Sequence, residues 1–182
     1  MPAIDGKTVA FLATDGVEQV ELDQPWQAIT EAGGRPELVS LAPGDIQAFN
    51  HLDKGGTRHV DKVLDDASPD AYDALVLPGG VANGDFVRGD ERAVRFVRGF
   101  VDAGKPIAVI CHGGWVLAEA DAVRGRTMTS WPSLKTDLRN AGATWVDREV
   151  VTDNGLVSSR KPDDLDAFCA KAVEEIAEGA HV

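Results

Sequence analysis

Cysteine is scarce in this chain: Cys111 and Cys169 are the only two among 182 residues. Two cannot make a disulfide framework, and with no CxxC and no His-rich spacing the sequence gives no structural metal site. Any cysteine chemistry would be that of a single thiol. Positive charge is also short, with 18 Lys+Arg against 30 Asp+Glu and a formal net charge of -12. That balance opposes phosphate backbones and anionic lipid surfaces, so neither nucleic acid nor a membrane is an expected partner. Long apolar runs are missing too. No stretch approaches the ~20 residues of a membrane span, and the first fourteen residues lack an apolar segment followed by a small-residue cleavage site, so a cytoplasmic location is expected. What is present is a chain 43% apolar with 4 Trp and 6 Phe, enough for one substantial core and a single domain over residues 1–182.

Residues 8–14 (TVAFLAT) form an apolar, β-branched run ending in Asp15-Gly16, the pattern of a buried parallel strand and tight turn. Trp26, Ile29 and Ala32 then recur at helical spacing, with Pro25 expected at the first helical position and Gly33-Gly34 as the stop. Residues 38–41 suggest a second strand, and 46–63 carry short apolar pieces broken by Asp53-Lys54-Gly55-Gly56, as in a hairpin excursion. Residues 72–77 (YDALVL), stopped by Pro78-Gly79-Gly80, read as a central parallel strand. Asp90 is placed to N-cap a helix whose Val94, Val97 and Val101 share a face, and Gly104 ends it before the strand 106–110 (PIAVI). A short helix at 115–120, a strand at 127–129 and a helix at 132–140 follow, then a hairpin turning at Asn154-Gly155. Pro162 opens a last helix with Leu165, Phe168, Cys169, Ala172, Val173 and Ile176 as its buried stripe. Strands alternating with helices predict an α/β fold with a mostly parallel sheet, in which ligands bind beyond the carboxyl ends of the strands.

One segment unites strand, reactive side chain, glycines and helix: Ile107 through Cys111-His112-Gly113-Gly114-Trp115. It reads as a nucleophile elbow, a sharp strand-to-helix turn that needs small neighbours and holds its central side chain above the sheet. Backbone N–H groups at such a turn favour thiolate, so Cys111 is expected to be reactive, while Cys169, inside an apolar stripe, is expected to be core. Glu18 follows strand one and Asp85 follows the strand ending at Leu77, so both would fall beside Cys111 if the three strands are parallel neighbours. A Glu18 touching sulfur should be protonated, sharing one proton with the thiol. His112 is the nearest candidate base, although adjacent side chains at a turn normally diverge, and Asp85 could orient its ring. His51, His59 and His181 are not expected to serve as a base. The Gly-rich stretch 78–84 matches neither a P-loop nor GxGxxG and is read as room beside the elbow.

Class I glutamine amidotransferases share such an elbow but add a later His-x-Glu pair, which does not follow Cys111 here. The sequence instead resembles the DJ-1/PfpI superfamily, in its PfpI-like branch. The resemblance is carried by Asp15-Gly16-Val17-Glu18, by residues 72–80 (YDALVLPGG), by Ile110-Cys111-His112-Gly113, and by residues 158–165 (SSRKPDDL). It implies a flavodoxin-like three-layer sandwich, class I glutamine amidotransferase-like in architecture. It also implies Cys111 as nucleophile, His112 as its partner, Glu18 beside the sulfur, and a third acid, matched here by Asp85, supplied across a homodimer or higher-oligomer interface. Gly79, Gly80, Gly113 and Trp131 are expected around the oxyanion and pocket, and no cofactor is implied. Gly114-Trp115 departs from the family's commoner Gly-Pro after Cys-His-Gly.

The resemblance implies a cysteine-dependent stress-response enzyme, either peptidase-like or a glyoxalase or deglycase, with a small carbonyl compound or a peptide as substrate. Thiolate addition to an aldehyde followed by proton transfer suits an α-oxoaldehyde. The other expectation is a non-catalytic oxidative-stress sensor or interaction protein whose Cys111 is reversibly oxidised.

Overall fold

The computed structural model describes residues 2–181, in which the alternation expected from the sequence becomes a sheet between two helical layers. In chain order the elements are β1 (Thr8–Leu12), β2 (Val17–Glu18), α1 (Gln19–Glu31), β3 (Arg35–Ser40), β4 (Asp45–Asn50), β5 (Asp53–His59) and β6 (Lys62–Val63). They continue as β7 (Ala74–Leu77), α2 (Val81–Arg88), α3 (Glu91–Asp102), β8 (Ile107–Ile110), α4 (Gly114–Glu119), β9 (Thr127–Met128) and α5 (Lys135–Asn140). The last are β10 (Thr144–Trp145), β11 (Val150–Asp153), β12 (Leu156–Ser159) and α6 (Leu165–Glu178).

The main sheet runs β11-β12-β8-β7-β1-β3-β6. All its pairs are parallel except β11 against β12, joined by the turn at Asn154 (φ 46°) and Gly155 (φ 82°) that the sequence signalled. Side chains alternate across the sheet and divide the core in two. Val9, Phe11, Val76, Ile110 and Val157 pack under α1 and α6, whereas Ala10, Leu12, Leu75, Leu77 and Val109 pack under α3, α4 and α5. The flavodoxin-like three-layer sandwich is therefore the observed architecture. The α6 stripe is buried as expected, Cys169 included.

Three local expectations are corrected. Pro25 lies inside α1 rather than at its start, because the helix begins at Gln19 directly after β2. Its missing N–H leaves the Glu21 carbonyl without the usual partner one turn on. The segment Asp53-Lys54-Gly55-Gly56 does not break the excursion but lies within β5, and the turn is at His51-Leu52. Gln19 accounts for Gly55: its Oε1 accepts from the Gly56 N–H at 2.8 Å and occupies the space a Cβ on Gly55 would need. On α3, Asp90 caps as expected, accepting from the Arg92 N–H at 2.8 Å, but Ala93, Phe96, Val97 and Phe100 form the buried face, with Val94 and Val101 only flanking it.

β8, β7 and β1 are consecutive in the sheet, so their carboxyl ends lie side by side. The segments following them, 111–114, 78–80 and 13–21, crowd together there, and glycine makes that possible. A Cβ on Gly113 would come within 2.6 Å of the Leu77 carbonyl oxygen and 3.0 Å of the Pro78 one, both backbone atoms. Gly113→Ala is expected to destabilise the protein by about 1–3 kcal/mol through overpacking, read as a lower urea midpoint. Gly56→Ala, whose Cβ would meet only the Gln19 amide at 3.8 Å, should shift it little.

Candidate active site

β8 is buried along its length and delivers Cys111 to the carboxyl edge of the sheet, where the backbone bends into a left-handed conformation (φ 59°). For a residue with a Cβ this is strained, and such strain is sustained only where neighbours hold it. The Cys111 carbonyl accepts from the Trp131 N–H at 3.2 Å, and α2 presses against the turn so closely that a Cβ on Gly84 would sit 2.7 Å from the His112 carbonyl oxygen. The bend turns both neighbouring side chains toward one cavity. Cys111 Sγ and His112 Nδ1 are 3.1 Å apart, so the divergence expected of adjacent residues does not occur. The imidazole is clamped between two indoles, stacked on Trp131 (ring centroids 5.5 Å, planes 26° apart) and meeting Trp115 edge-on at 5.2 Å.

The acid beside the sulfur is Glu21, not Glu18. Glu21 is fully buried, its Oε2 accepts from the Gly79 N–H at 2.9 Å, and its carboxyl is in hydrogen-bonding reach of the Cys111 thiol. Glu18 belongs to β2, which pairs with β4, and its carboxylate turns to the hairpin tip, where Oε2 accepts from the His51 N–H at 3.1 Å. The helical twist that begins at Gln19 swings residue 21 inward. A signal for this exists in the sequence: Glu21 and Leu22 precede Pro25, Ala28 and Ile29 at helical spacing, which puts a carboxylate on the buried face of α1. Gly79 is required here, since its Cβ would overlap Glu21 Oε2 and lie 2.6 Å from Cys111 Cβ.

Electrostatics follow from this burial. Desolvation, with the Glu18 charge adding to it, raises the Glu21 carboxyl to a pKa of about 8 despite the Gly79 hydrogen bond. Its Oε1 is buried with no hydrogen-bond partner, an arrangement far less costly for a neutral acid than for an anion. Burial likewise pushes the Cys111 thiol up, and the Glu21 charge pushes it further, while the backbone N–H groups of Gly80 and His112 pull it down. Two acids that each disfavour the other's anion are therefore both held in their neutral forms at neutral pH, in place of the one shared proton expected from the sequence. Burial lowers the His112 pKa, leaving a neutral imidazole beside the sulfur. The expectation that the turn's N–H groups favour a resting thiolate is corrected: burial and the Glu21 charge outweigh them, and Cys111 is only 6% exposed.

Sulfur lies at the wall of a cavity of about 190 Å³ lined by Glu18, Glu21, His51, Leu52, Gly80, Val81, His112, Trp131 and Pro162. Trp131 thus walls the site as expected. Gly79 supports Glu21 and Gly113 serves close packing, so of the glycines only Gly80 lines the cavity, with its N–H on the sulfur. His51, set aside in the sequence reading, is brought to the site by the β4–β5 hairpin, where its backbone is left-handed (φ 58°). Asp85 is not beside the elbow in its own chain: it is exposed on α2 and lines an adjoining cavity of about 450 Å³ with Phe49, Phe86 and Trp115. Cys169 is buried in α6, its pKa pushed up to about 12, chiefly by burial.

Residues 7–175 match the family model described as the DJ-1/PfpI family. Deglycase PfpI of Pyrococcus furiosus is 40% identical over 166 residues, covering 91% of this chain and 97% of that protein. Protein/nucleic acid deglycase 2 of Escherichia coli is 40% identical over 168 residues, covering 92% and 96%. A putative cysteine protease, YraA of Bacillus subtilis, is 39% identical over 162 residues, covering 89% and 94%. Among solved structures, a two-domain protein from Anabaena variabilis with DJ-1/ThiJ/PfpI-like and ferritin-like domains superposes with a TM-score of 0.88 at 30% identity, covering 94% of this chain and 48% of that one. DJ-1beta of Drosophila melanogaster superposes with a TM-score of 0.83 at 26% identity, covering 94% of each.

The raised Glu21 pKa has a consequence for stability. Between the ordinary value of 4.5 and about 8 the folded protein holds a proton on Glu21 that the unfolded chain has released. Stability from this group is therefore full below the lower limit and lost as pH rises to the upper one, with a steepest slope of roughly 1.4 kcal/mol per pH unit. Glu21→Gln, uncharged throughout, lacks that slope. Urea denaturation at several pH values should show the variant gaining on wild type across this window; parallel profiles would mean that Glu21 is not held neutral.

Proposed function

The chain belongs to the DJ-1/PfpI family, and from that membership we propose a cysteine-dependent enzyme acting on 2-oxoaldehydes and their amine adducts, a deglycase or glyoxalase in type. One observation carries the reading: sulfur, a neutral imidazole nitrogen 3.1 Å from it, and a buried carboxyl meet at one small cavity. Relatives at about 40% identity that bear the name deglycase support the same reading. Free thiols, among them an oxidisable nucleophile, suit a reducing compartment such as the cytoplasm.

The proposed chemistry starts from the thiol proton. It passes from sulfur to the neutral His112 Nδ1, 3.1 Å away, leaving a thiolate facing the amides of Gly80 and His112 and a neutral Glu21 carboxyl next to it. The thiolate adds to the aldehyde carbon, forming a C–S bond, and the new alkoxide takes the Glu21 proton, giving a hemithioacetal. The Glu21 carboxylate then removes the hydrogen on that carbon while the His112 imidazolium protonates the neighbouring carbonyl oxygen, giving an ene-diol. Glu21 delivers its proton to the neighbouring carbon and takes the hydroxyl proton of the first, which leaves a 2-hydroxy thioester, a neutral imidazole and a protonated carboxyl. One water hydrolyses the thioester to the 2-hydroxy acid and restores the thiol, with His112 Nδ1 placed to take the water's proton. For an amine adduct, loss of the amine from the carbinolamine regenerates the carbonyl that sulfur captures. A cavity of about 190 Å³ fits a substrate of a few carbons better than a stretch of peptide, which favours this reading over a peptidase.

A second copy of the chain is part of the proposal. Among the described residues Leu52 (94% exposed), Val81 (57%) and Phe86 (54%) are the exposed large apolar side chains, and with Asp85 they line the cavity beside the site. Burying them against a partner would remove this apolar surface from water and bring Asp85 to the partner's His112.

Methylglyoxal consumption with lactate formation should be measurable for the wild type and fall by about 10³-fold or more in Cys111→Ser, loss of the nucleophile removing the covalent route. Absence of turnover together with selective peroxide oxidation of Cys111 would make the protein an oxidation sensor instead. The shared site has its own test. Cys111→Ser and Asp85→Asn, each weakly active alone, should recover activity on mixing and subunit exchange, because one site of each mixed dimer then has both groups. If mixing restores nothing and the chain sediments as a monomer, Asp85 does not act across subunits.

A further inference from the structure

The walls of the site carry charge of one sign. Glu18 and Glu21 line the cavity at Cys111, Asp85 lines the adjoining one, and no Lys or Arg lines either among the described residues. The cations nearest in sequence are already engaged. Beside Pro162, Arg160 binds Asp164 through Nε at 2.9 Å and Asp147 through Nη1 at 2.8 Å, and Lys161 pairs with Asp163 at 3.2 Å. At the end of α2, Arg88 pairs with Glu119 at 3.1 Å. The amides of Gly80 and His112, the partial positive charges in the cavity, are directed at sulfur.

Glu18 is the carboxylate free to act on a ligand. Glu21 is held neutral beside Cys111, whereas the charge of Glu18 is felt at Glu21, helping to raise its pKa. It is also fixed in place. Both Glu18 oxygens face the His51 N–H, at 3.1 and 3.4 Å, and the left-handed backbone at His51 that presents this N–H is a conformation a β-carbon-bearing residue adopts at a cost. The hairpin tip thus holds a charge at the cavity wall as well as covering it.

We infer that the site selects carbonyl compounds by charge, with Glu18 as the selecting residue: uncharged 2-oxoaldehydes and cationic amine or guanidine adducts enter, and 2-oxo acids and phosphate esters are turned away. This rests on the reading that Cys111 takes carbonyl substrates, but the selection itself is a property of the cavity that is measurable at the sulfur without turnover. An anion brought to the thiol must approach the Glu18 carboxylate in a partly dehydrated space, where like charges a few ångströms apart repel strongly enough to slow approach by about tenfold.

Iodoacetamide and iodoacetate, which differ chiefly in one negative charge, make the comparison direct. Alkylation of Cys111 is followed by mass spectrometry of its peptide, and the ratio of the two rates is divided by the ratio for 2-mercaptoethanol. Wild type should favour iodoacetamide by about tenfold after this correction, and the preference should shrink as salt is raised. Glu18→Gln, which keeps an acceptor for the His51 N–H, should cut it severalfold, Glu18→Lys should abolish or reverse it, and Glu178→Gln, remote and exposed, should leave it unchanged. A corrected ratio near one in the wild type, a ratio indifferent to Glu18, or a Cys111 that neither reagent labels would overturn the inference. Methylglyoxal and glyoxylate turnover are measured alongside. If the ratio holds while neither is consumed, the proposed reaction fails and the charge selection stands.

Discussion

The site depends on two buried acids held neutral against each other, the Cys111 thiol and the Glu21 carboxyl. Either acid alone would have an ordinary role for its kind: a buried thiol is a small hydrophobe, and a buried carboxyl needs a partner or protonation. Placed together, with the Gly79 amide on the carboxyl and the Gly80 and His112 amides about the sulfur, they form a unit in which moving the thiol proton to His112 Nδ1 makes sulfur a nucleophile while the carboxyl beside it stays an acid. No net charge is created in that transfer, because thiolate and imidazolium form together. The pairing thereby reduces the desolvation cost that a separately ionised thiol would carry at this depth.

Three structural devices hold the unit. The parallel order β8-β7-β1 brings three strand ends together, so that the segments after them meet in one place. The left-handed bend at Cys111 aims sulfur and imidazole into the same space. Glycines at 79, 80 and 113 then let backbone approach backbone and carboxyl: at each of them a Cβ would fall within 3.0 Å of a neighbouring atom. The two-layered core beneath supplies the rigidity, since the strands carrying these turns are buried on both faces by α1 and α6 on one side and α3 to α5 on the other.

Much of this was legible in the sequence, and the reasons for the failures are local. The elbow could be read because the strand, the cysteine and the glycines that the turn requires are consecutive. The sandwich could be read because its strands are near-continuous apolar runs. Glu18 was preferred to Glu21 because both lie just past β1, and choosing between them needs the residue at which extended chain becomes helix, the least legible feature of a sequence. Pro25, read as a helix start, moved that boundary the wrong way, and the apolar face shared by Glu21, Leu22, Pro25, Ala28 and Ile29 would have corrected both errors. His51 was not legible at all. Its place depends on β4 crossing to pair with β2, a contact between segments about thirty residues apart that no periodicity announces.

The distribution of unfavourable features around the cavity separates a site kept for chemistry from a chance cluster of polar residues. Left-handed, non-glycine backbone occurs at Cys111, His51, Asp121 and Asn154. Asp121 and Asn154 sit in turns, where short polar side chains tolerate the conformation. Cys111 is not of a residue type that favours it; His51, of a type that tolerates it better and likewise in a turn, borders the same cavity, as does Glu21 with its unpartnered Oε1. Replacement of Glu21 by an apolar residue, or of His51 by glycine, would relieve these costs without disturbing the sheet. That a strained backbone at Cys111 and an unsatisfied oxygen of Glu21 fall on the same small cavity is the pattern expected when the contacts are maintained for what they do to a ligand and not for folding.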